Sequence, residues 1–389
     1  MSTDYGNFRR FCFLICVIYA ICGSSFAQSS TPPQRKKIKD FGSSLKRLKW
    51  DPEKNRAVEV KGPGSELEEG DVIRIDTSLV SGELLVLDER GNNVSGLTAG
   101  DFSITEDGAP QTVSHFLKGN NVDVPRSIVL IIDYSGSQYR YLKKSVKAAK
   151  VLVDKLGPKD LMAIVTDDVE LIVDFTSDKK KLKNKLDSLV QITGVDSVFS
   201  SGTERLGRSK QYSALMATLN EAFTEEDIRP IIIFQTDGDE AFFLRNSPGS
   251  LTFPKAFKGR LRRKLEKEIA QFSLDDLYRA VERSRATVYT VIPGVKPLES
   301  RSDEDPDDTR SALAGVAPLS GGWTELLETP DQADTIYGRI FSDINQRYII
   351  GYYPTNKEQD GKRRKIDFSV KGHPEYQIYG RRSYFAPGP

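Results

Sequence analysis

The middle of this chain predicts a doubly wound α/β domain with a mainly parallel sheet, set between two β-rich segments. Two observations carry that expectation. The runs Ile128–Ile132 and Ile231–Phe234 are continuously apolar and β-rich, as strands buried on both faces of a parallel sheet must be. Each ends abruptly in a polar turn, Asp133-Tyr-Ser-Gly-Ser137 after the first and Thr236-Asp-Gly-Asp239 after the second. Stretches of helical periodicity lie between them, and strands alternating with helices place helices on both faces of such a sheet.

Taken from the start, residues 1–27 read as an export signal: Arg9 and Arg10 precede the apolar Phe11–Ile21, and Ser25-Phe26-Ala27 offers a small-x-small cleavage site. The apolar run is shorter than the ~20 residues of a membrane span, so no transmembrane span is expected in the mature chain. Cys12, Cys16 and Cys22 all fall within the signal, which leaves the mature chain without a thiol for disulfide, zinc or nucleophile. Residues 28–70 are rich in Ser, Pro, Lys and Glu and read as a disordered linker. Residues 71–122 hold short alternating runs, among them Asp71–Val80, Leu84–Asp88 and Asp101–Gly108, which read as an N-terminal β-region.

The α/β block spans 123–346. Leu142, Val146, Ala149, Leu152, Val153 and Leu156 share one face of a helix that Gly157-Pro158 ends. Leu161–Thr166 and Val169–Phe175 form a hairpin across Asp167-Asp168, and Ser177-Asp178 caps a Lys-rich helix running to Val190. Helices are expected over Tyr212–Phe223, Leu274–Arg285 and Asp331–Asn345, a strand over Thr287–Ile292, and a charged loop over Arg301–Asp308. Residues 347–389 return to β-patterning. Two half-sets of strands, each too small for a core of its own, are expected to pair into one β-sandwich-like domain around the α/β insert.

The strand ends carry the chemistry. Asp133-x-Ser135-x-Ser137 offers a carboxylate and two hydroxyls, all hard oxygen donors suited to a small cation such as Mg²⁺. It sits at the carboxyl end of a buried strand, where open α/β sheets bind ligands. The net charge of +1 gives no global case for nucleic acid as a partner. Only His115 and His373 are present, both expected in turns of the β-regions, and no Gly-x-Ser-x-Gly, P-loop or His-Glu-x-x-His motif occurs, so a hydrolase is a weak expectation.

Asp133-x-Ser135-x-Ser137 resembles the first segment of the metal-ion-dependent adhesion site (MIDAS) of von Willebrand factor type A (VWA) domains, and Asp237-Gly238 resembles the segment that completes it. Asp101–Gly108, Tyr348-Ile-Ile-Gly-Tyr-Tyr-Pro354 and Arg381-Arg-Ser-Tyr-Phe385 follow the order found in VWA-related proteins of the acidobacterial type, so the resemblance covers roughly Asp71 to Pro387. It implies a VWA, Rossmann-like domain, a Mg²⁺ site (Mn²⁺ and Ca²⁺ being alternatives), and adhesion without catalysis. Ser135 and Ser137 would then bind the metal directly, with Asp133 and Asp237 acting largely through coordinated water. The family supplies a Thr before the third helix; here, counting back from Tyr212 gives Ser209, with Thr203 the other candidate, and Asp239 is a supporting carboxylate or a helix cap. The long connection after Asp237 carries Arg260, Arg262 and Arg263 among other cations, a rim suited to an acidic protein partner. Three readings follow: an exported, metal-dependent binding module, periplasmic or secreted; a scaffold with a vestigial metal site; and, least favoured, a Mg²⁺-dependent hydrolase.

Overall fold

Strands β7 (Arg126–Ile132) and β10 (Arg229–Gln235) are buried at every position, and they pair in parallel at the centre of a six-stranded sheet. This computed structural model describes residues 37–60, 79–118, 124–135, 139–192, 209–224, 227, 229–238, 240, 243–247, 255, 258–293 and 309–388. The expected signal (1–27), the first strand-like run before Leu79 and the Arg301–Asp308 loop lie outside the described residues.

Beside β7 lie β8 (Leu161–Thr166) and β9 (Glu170–Thr176); beside β10 lie β11 (Thr287–Pro293) and β12 (Thr324–Leu327). Every neighbour pair is parallel except the β8–β9 hairpin. Numbered within the block, this order is 3-2-1-4-5-6, the doubly wound arrangement whose chain reverses direction across the sheet between strands 1 and 4. Alternate residues of β7 face opposite layers. Ile128, Leu130 and Ile132 pack with helices α2 (Tyr139–Asp154), α3 (Lys179–Ile192) and α8 (Ala333–Gln346). Val129 and Ile131 pack with α4 (Gln211–Glu221), α6 (Leu274–Arg283) and α7 (Thr309–Ser320).

Outside this block, β3 (Val80–Leu87) and β6 (Val113–Leu117) flank β13 (Tyr348–Tyr352), with β15 (Gln377–Tyr379) on the free edge of β3. A second sheet orders β16 (Ser383–Phe385), β14 (Arg363–Val370), β4 (Phe102–Glu106) and β5 (Ala109–Gln111). Leu84, Val86 and Ile350 of the first share one core with Phe102, Ile104, Ile366 and Phe368 of the second. Strands from before and after the α/β insert therefore complete each other. His115 lies exposed on β6 rather than in a turn.

Two further differences from the sequence reading have physical causes. Residues 37–60 were expected to belong to a disordered linker, yet they form α1 (Ser43–Arg47) and the hairpin β1 (Leu48–Asp51)–β2 (Arg56–Glu59). Remote carboxylates hold them: Glu221 accepts from Gly42 N and Ser44 N at 2.8 and 2.7 Å, and Asp276 accepts from Ala57 N at 3.0 Å. Helix α7 and strand β12 were not expected at all; Pro318 and several small residues mask the helix, and the strand is a four-residue edge. The connection after Asp237 contains α5 (Gly259–Glu268), which buries none of its residues.

Where the sandwich meets the sheet, Arg229 is 2 % exposed and pairs with Glu83 of β3 at 3.0 Å, and also donates to the Ile344 carbonyl. Removing one partner of a buried pair leaves an uncompensated charge, which costs ~3–5 kcal/mol. Glu83→Ala is therefore expected to lower the unfolding free energy by about that amount, read from the denaturant midpoint at an unchanged m-value.

Candidate functional site

The chain reverses between β7 and β10, and the turns that follow them leave the sheet side by side. Ile132 pairs with Gln235, and Asp133 N extends the ladder one step by donating to Gln235 O at 3.0 Å. Asp133 and Thr236-Asp237 are thereby fixed as neighbours. The Asp133 carboxylate is 2 % exposed. Its Oδ1 accepts from Ser135 N at 2.9 Å, closing a local turn of the kind Asp favours. Its Oδ2 accepts from Gln211 Nε2 at 2.6 Å and from Thr236 Oγ1 at 3.1 Å. The same Gln211 Nε2 donates to Asp237 Oδ1 at 3.2 Å. The Asp133 and Asp237 oxygens are thus no further apart than those two bonds laid end to end. Gly238 completes the turn with a φ of +82°, and a Cβ there would sit 2.7 Å from Leu313 Cδ1, so both backbone and space require glycine.

Another buried carboxylate, Asp167, follows β8. It accepts from Tyr134 N at 3.1 Å, its backbone oxygen accepts from Lys210 N at 2.9 Å, and the Ser209 hydroxyl lies beside it. Asp168 accepts from the Tyr134 hydroxyl. Glu240 is buried as well. It receives the Tyr212 and Ser213 N–H groups at the start of α4 and the Ser213 hydroxyl at 2.6 Å. A remote carboxylate thus caps this helix; the N-cap residue is Lys210, whose side chain makes no cap bond.

The site residues read from sequence are distributed as follows. Asp133, Ser135 and Asp237 come together. Ser209 stands against Asp167. Ser137, Thr203 and Asp239 lie outside the described residues. Arg260, Arg262 and Arg263 are exposed on α5, where Arg262 pairs with Glu266 at 2.8 Å; the last residue of that helix, Glu268, reaches Lys210 Nζ at 3.4 Å. Asp167, Gln211, Thr236 and Glu240 were not anticipated. Asp167 had a signal, since it follows an apolar strand just as Asp133 does, and Thr236 directly precedes Asp237; Gln211 and Glu240 meet the site only through the fold.

Burial sets the electrostatics. It pushes the Asp133 carboxyl well above the usual range, Asp167 and Asp237 push it further, and Ser135 pulls it back. Burial also raises Asp167 to about 7, against the Tyr134 N–H and with Asp168 adding to the rise. It likewise raises Glu240 to about 7 against its Ser213 and Tyr212 donors. Among the described residues, no three Asp, Glu, His or Cys side chains are placed to hold a metal ion by themselves, so a cation here must also take hydroxyl or water oxygens. The donors present at the strand ends are all oxygens, from two carboxylates, Ser135 and Thr236. They fit a hard divalent cation in kind, and crowded buried carboxylates favour one electrostatically.

The raised Glu240 sets a pH dependence. Between the ordinary carboxyl range and about 7, the folded chain keeps a proton that the unfolded chain has lost, so this group's stabilisation falls as pH rises through that window. In EDTA, melting followed from pH 5 to 8 should show wild-type stability falling more steeply than that of Glu240→Gln, by an amount on the order of 3 kcal/mol.

No family model matches the chain, and no curated protein matches it. Solved structures do. The conserved hypothetical protein BatB from Bacteroides thetaiotaomicron is 17% identical, over 56% of this chain and 98% of its own, with a TM-score of 0.36. The vWF domain of the type V pili tip protein Mfa5 from Porphyromonas gingivalis is 16% identical, over 57% and 95%, with a TM-score of 0.38. A von Willebrand factor type A protein from Catenulispora acidiphila is 12% identical, over 82% and 76%, with a TM-score of 0.32. These likenesses are distant, and the fold rests on the strand order itself: the centre of this chain is a doubly wound α/β domain.

Proposed function

We propose that the α/β domain is a metal-dependent binding module, exported to the periplasm or beyond the cell, that captures a carboxylate of an acidic protein partner through a divalent cation. The observation that carries this reading is the convergence of Asp133 and Asp237 on one buried donor at the point where the sheet reverses. Asp133, Ser135, Ser137, Ser209 and Asp237 are the residues we assign to the cation, with Mg²⁺ the first choice for an all-oxygen set and Mn²⁺ or Ca²⁺ the alternatives. When bound, the ion supplies an electrophilic position that an incoming carboxylate can fill. The chain's own residues do the rest. Asp133 is held in place by Ser135 N and Thr236, and Gly238 lets the second turn approach closely. Helix α5 presents Arg260, Arg262 and Arg263 to solvent, and its far end is tied to the loop bearing Ser209 by the Lys210–Glu268 pair. Cations on such a rim steer an acidic partner toward the site.

Export rests on the charge and apolar pattern of residues 1–27, and no described helix is long and apolar enough to cross a membrane. A second reading, a scaffold with a vestigial metal site, draws on one feature: the Gln211 amide satisfies both carboxylates with no cation.

Titration of Mg²⁺ or Mn²⁺ into the metal-free chain separates the two. The binding module predicts saturable uptake that Asp133→Ala or Asp237→Ala weakens by about 100-fold, because each removes a charged group from the site. Absence of uptake by the wild type would favour the scaffold. Charge reversal of Arg260, Arg262 and Arg263 to Glu should then reduce EDTA-reversible capture of bead-displayed acidic peptides by about 10-fold or more, with metal affinity unchanged.

A further inference from the structure

Between the two carboxylates of the site stands a neutral side chain. Gln211 is fully buried; its Nε2 lies 2.6 Å from Asp133 Oδ2 and 3.2 Å from Asp237 Oδ1, while its Oε1 faces Glu240 N at 3.4 Å. The surroundings dictate which way the amide points. A half-turn would set Oε1 against two carboxylate oxygens, acceptor against acceptor, and would turn the amino group toward the Glu240 N–H. The amino group therefore brings partial positive charge to two acids that would otherwise repel each other, which is the task of a cation at that place, done with less charge.

We infer that Gln211 is an internal competitor for the cation: its amino group bridges the two carboxylates and must withdraw from both before a metal ion is taken up. This rests on the reading of the site as a metal centre. The backbone around Gln211 cannot relieve the competition, because the next two N–H groups of α4 are anchored on Glu240. Only the side chain can yield. Two buried hydrogen bonds to carboxyl oxygens must be given up to the incoming ion, so their loss weakens the apparent affinity. The residue sets how much divalent cation the protein needs before it can engage a partner.

The test is calorimetric titration of Mg²⁺ and Mn²⁺ into the metal-free full chain, comparing wild type with Gln211→Ala and Gln211→Met. Methionine keeps the length and buried volume of the side chain but has no amide. Circular dichroism confirms that each variant is folded, and either variant alone suffices. Both variants should bind roughly 10- to 100-fold more tightly than wild type. Both should also melt lower than wild type in EDTA, with Mg²⁺ raising their melting temperature by more than it raises that of the wild type. If wild type takes up metal and both variants bind with wild-type affinity or more weakly, the inference falls while the metal reading stands. If none of the three binds either ion, both fall. A side chain that merely packs would lower the melting temperature equally with and without Mg²⁺, which also overturns the inference.

Discussion

The register of β7 against β10 is the constraint on which the rest of the molecule depends. Seven consecutive pairs, from Arg126↔Arg229 to Ile132↔Gln235, hold the two strands, and the Asp133 N–H adds one more rung. Because side chains alternate between faces, a slip of one residue would send Ile128, Leu130 and Ile132 into the layer occupied by α4, α6 and α7. The hydrophobic core forbids that slip, and in doing so it fixes which polar residues emerge together at the end of the strands. The position of Asp133 beside Thr236 and Asp237 is a consequence of apolar packing along the two strands that lead into them.

The two ends of the sheet are treated oppositely. At the amino end, buried charges are matched: Arg126 with Asp160, Arg229 with Glu83, and Arg347 with Asp343 at 2.7 Å. At the carboxyl end, Asp133, Asp167 and Glu240 are buried among backbone N–H groups, hydroxyls and one amide, with Lys210 the cation nearest to Glu240 in effect. Those donors shape the loops, so the same carboxylates that leave the site short of positive charge also fold it. An imbalance of this kind costs stability and is expected where an ion or partner supplies the missing charge.

What the sequence made legible follows from range. Buried parallel strands announce themselves by continuous apolar runs, so β7, β10 and the carboxylates that follow them could be placed, as could the Asp178 cap of α3, where Lys181 N lies 3.0 Å from Asp178 Oδ1. Helix α7 could not, because Pro318 and its small residues weaken the pattern while contacts of Leu313 and Val316 with the sheet supply the stability. The order of residues 37–60 comes from Glu221 and Asp276, whose partners lie more than 170 residues away in the chain. Gln211 and Glu240 escaped for the same reason: nothing local marks a glutamine as the bridge between two acids. Counting back from Tyr212 reaches Ser209, whose hydroxyl lies beside Asp167, while Gln211, two residues on, stands between Asp133 and Asp237.

The way the α/β block is joined to the sandwich bears on what can reach the site. The insert leaves the β-region at Arg126 and returns at Arg347, and these ends lie together, since Arg126 Nη1 donates to Asn345 Oδ1 at 2.7 Å. Glu83 of β3 contacts both Arg229 at the start of β10 and, through its carbonyl at 3.4 Å, Arg347. Farther along the seam, Glu282 near the end of α6 receives Arg363 and Ser383 of the sandwich. All of these contacts lie at the amino ends of the parallel strands, where a chain entering β7, β10 or β11 must begin. A domain inserted by its base in this way puts the carboxyl ends of its strands on the far side from the domain that carries it. The sandwich therefore serves as a mount at the amino end of the sheet, opposite the end where Asp133 and Asp237 converge.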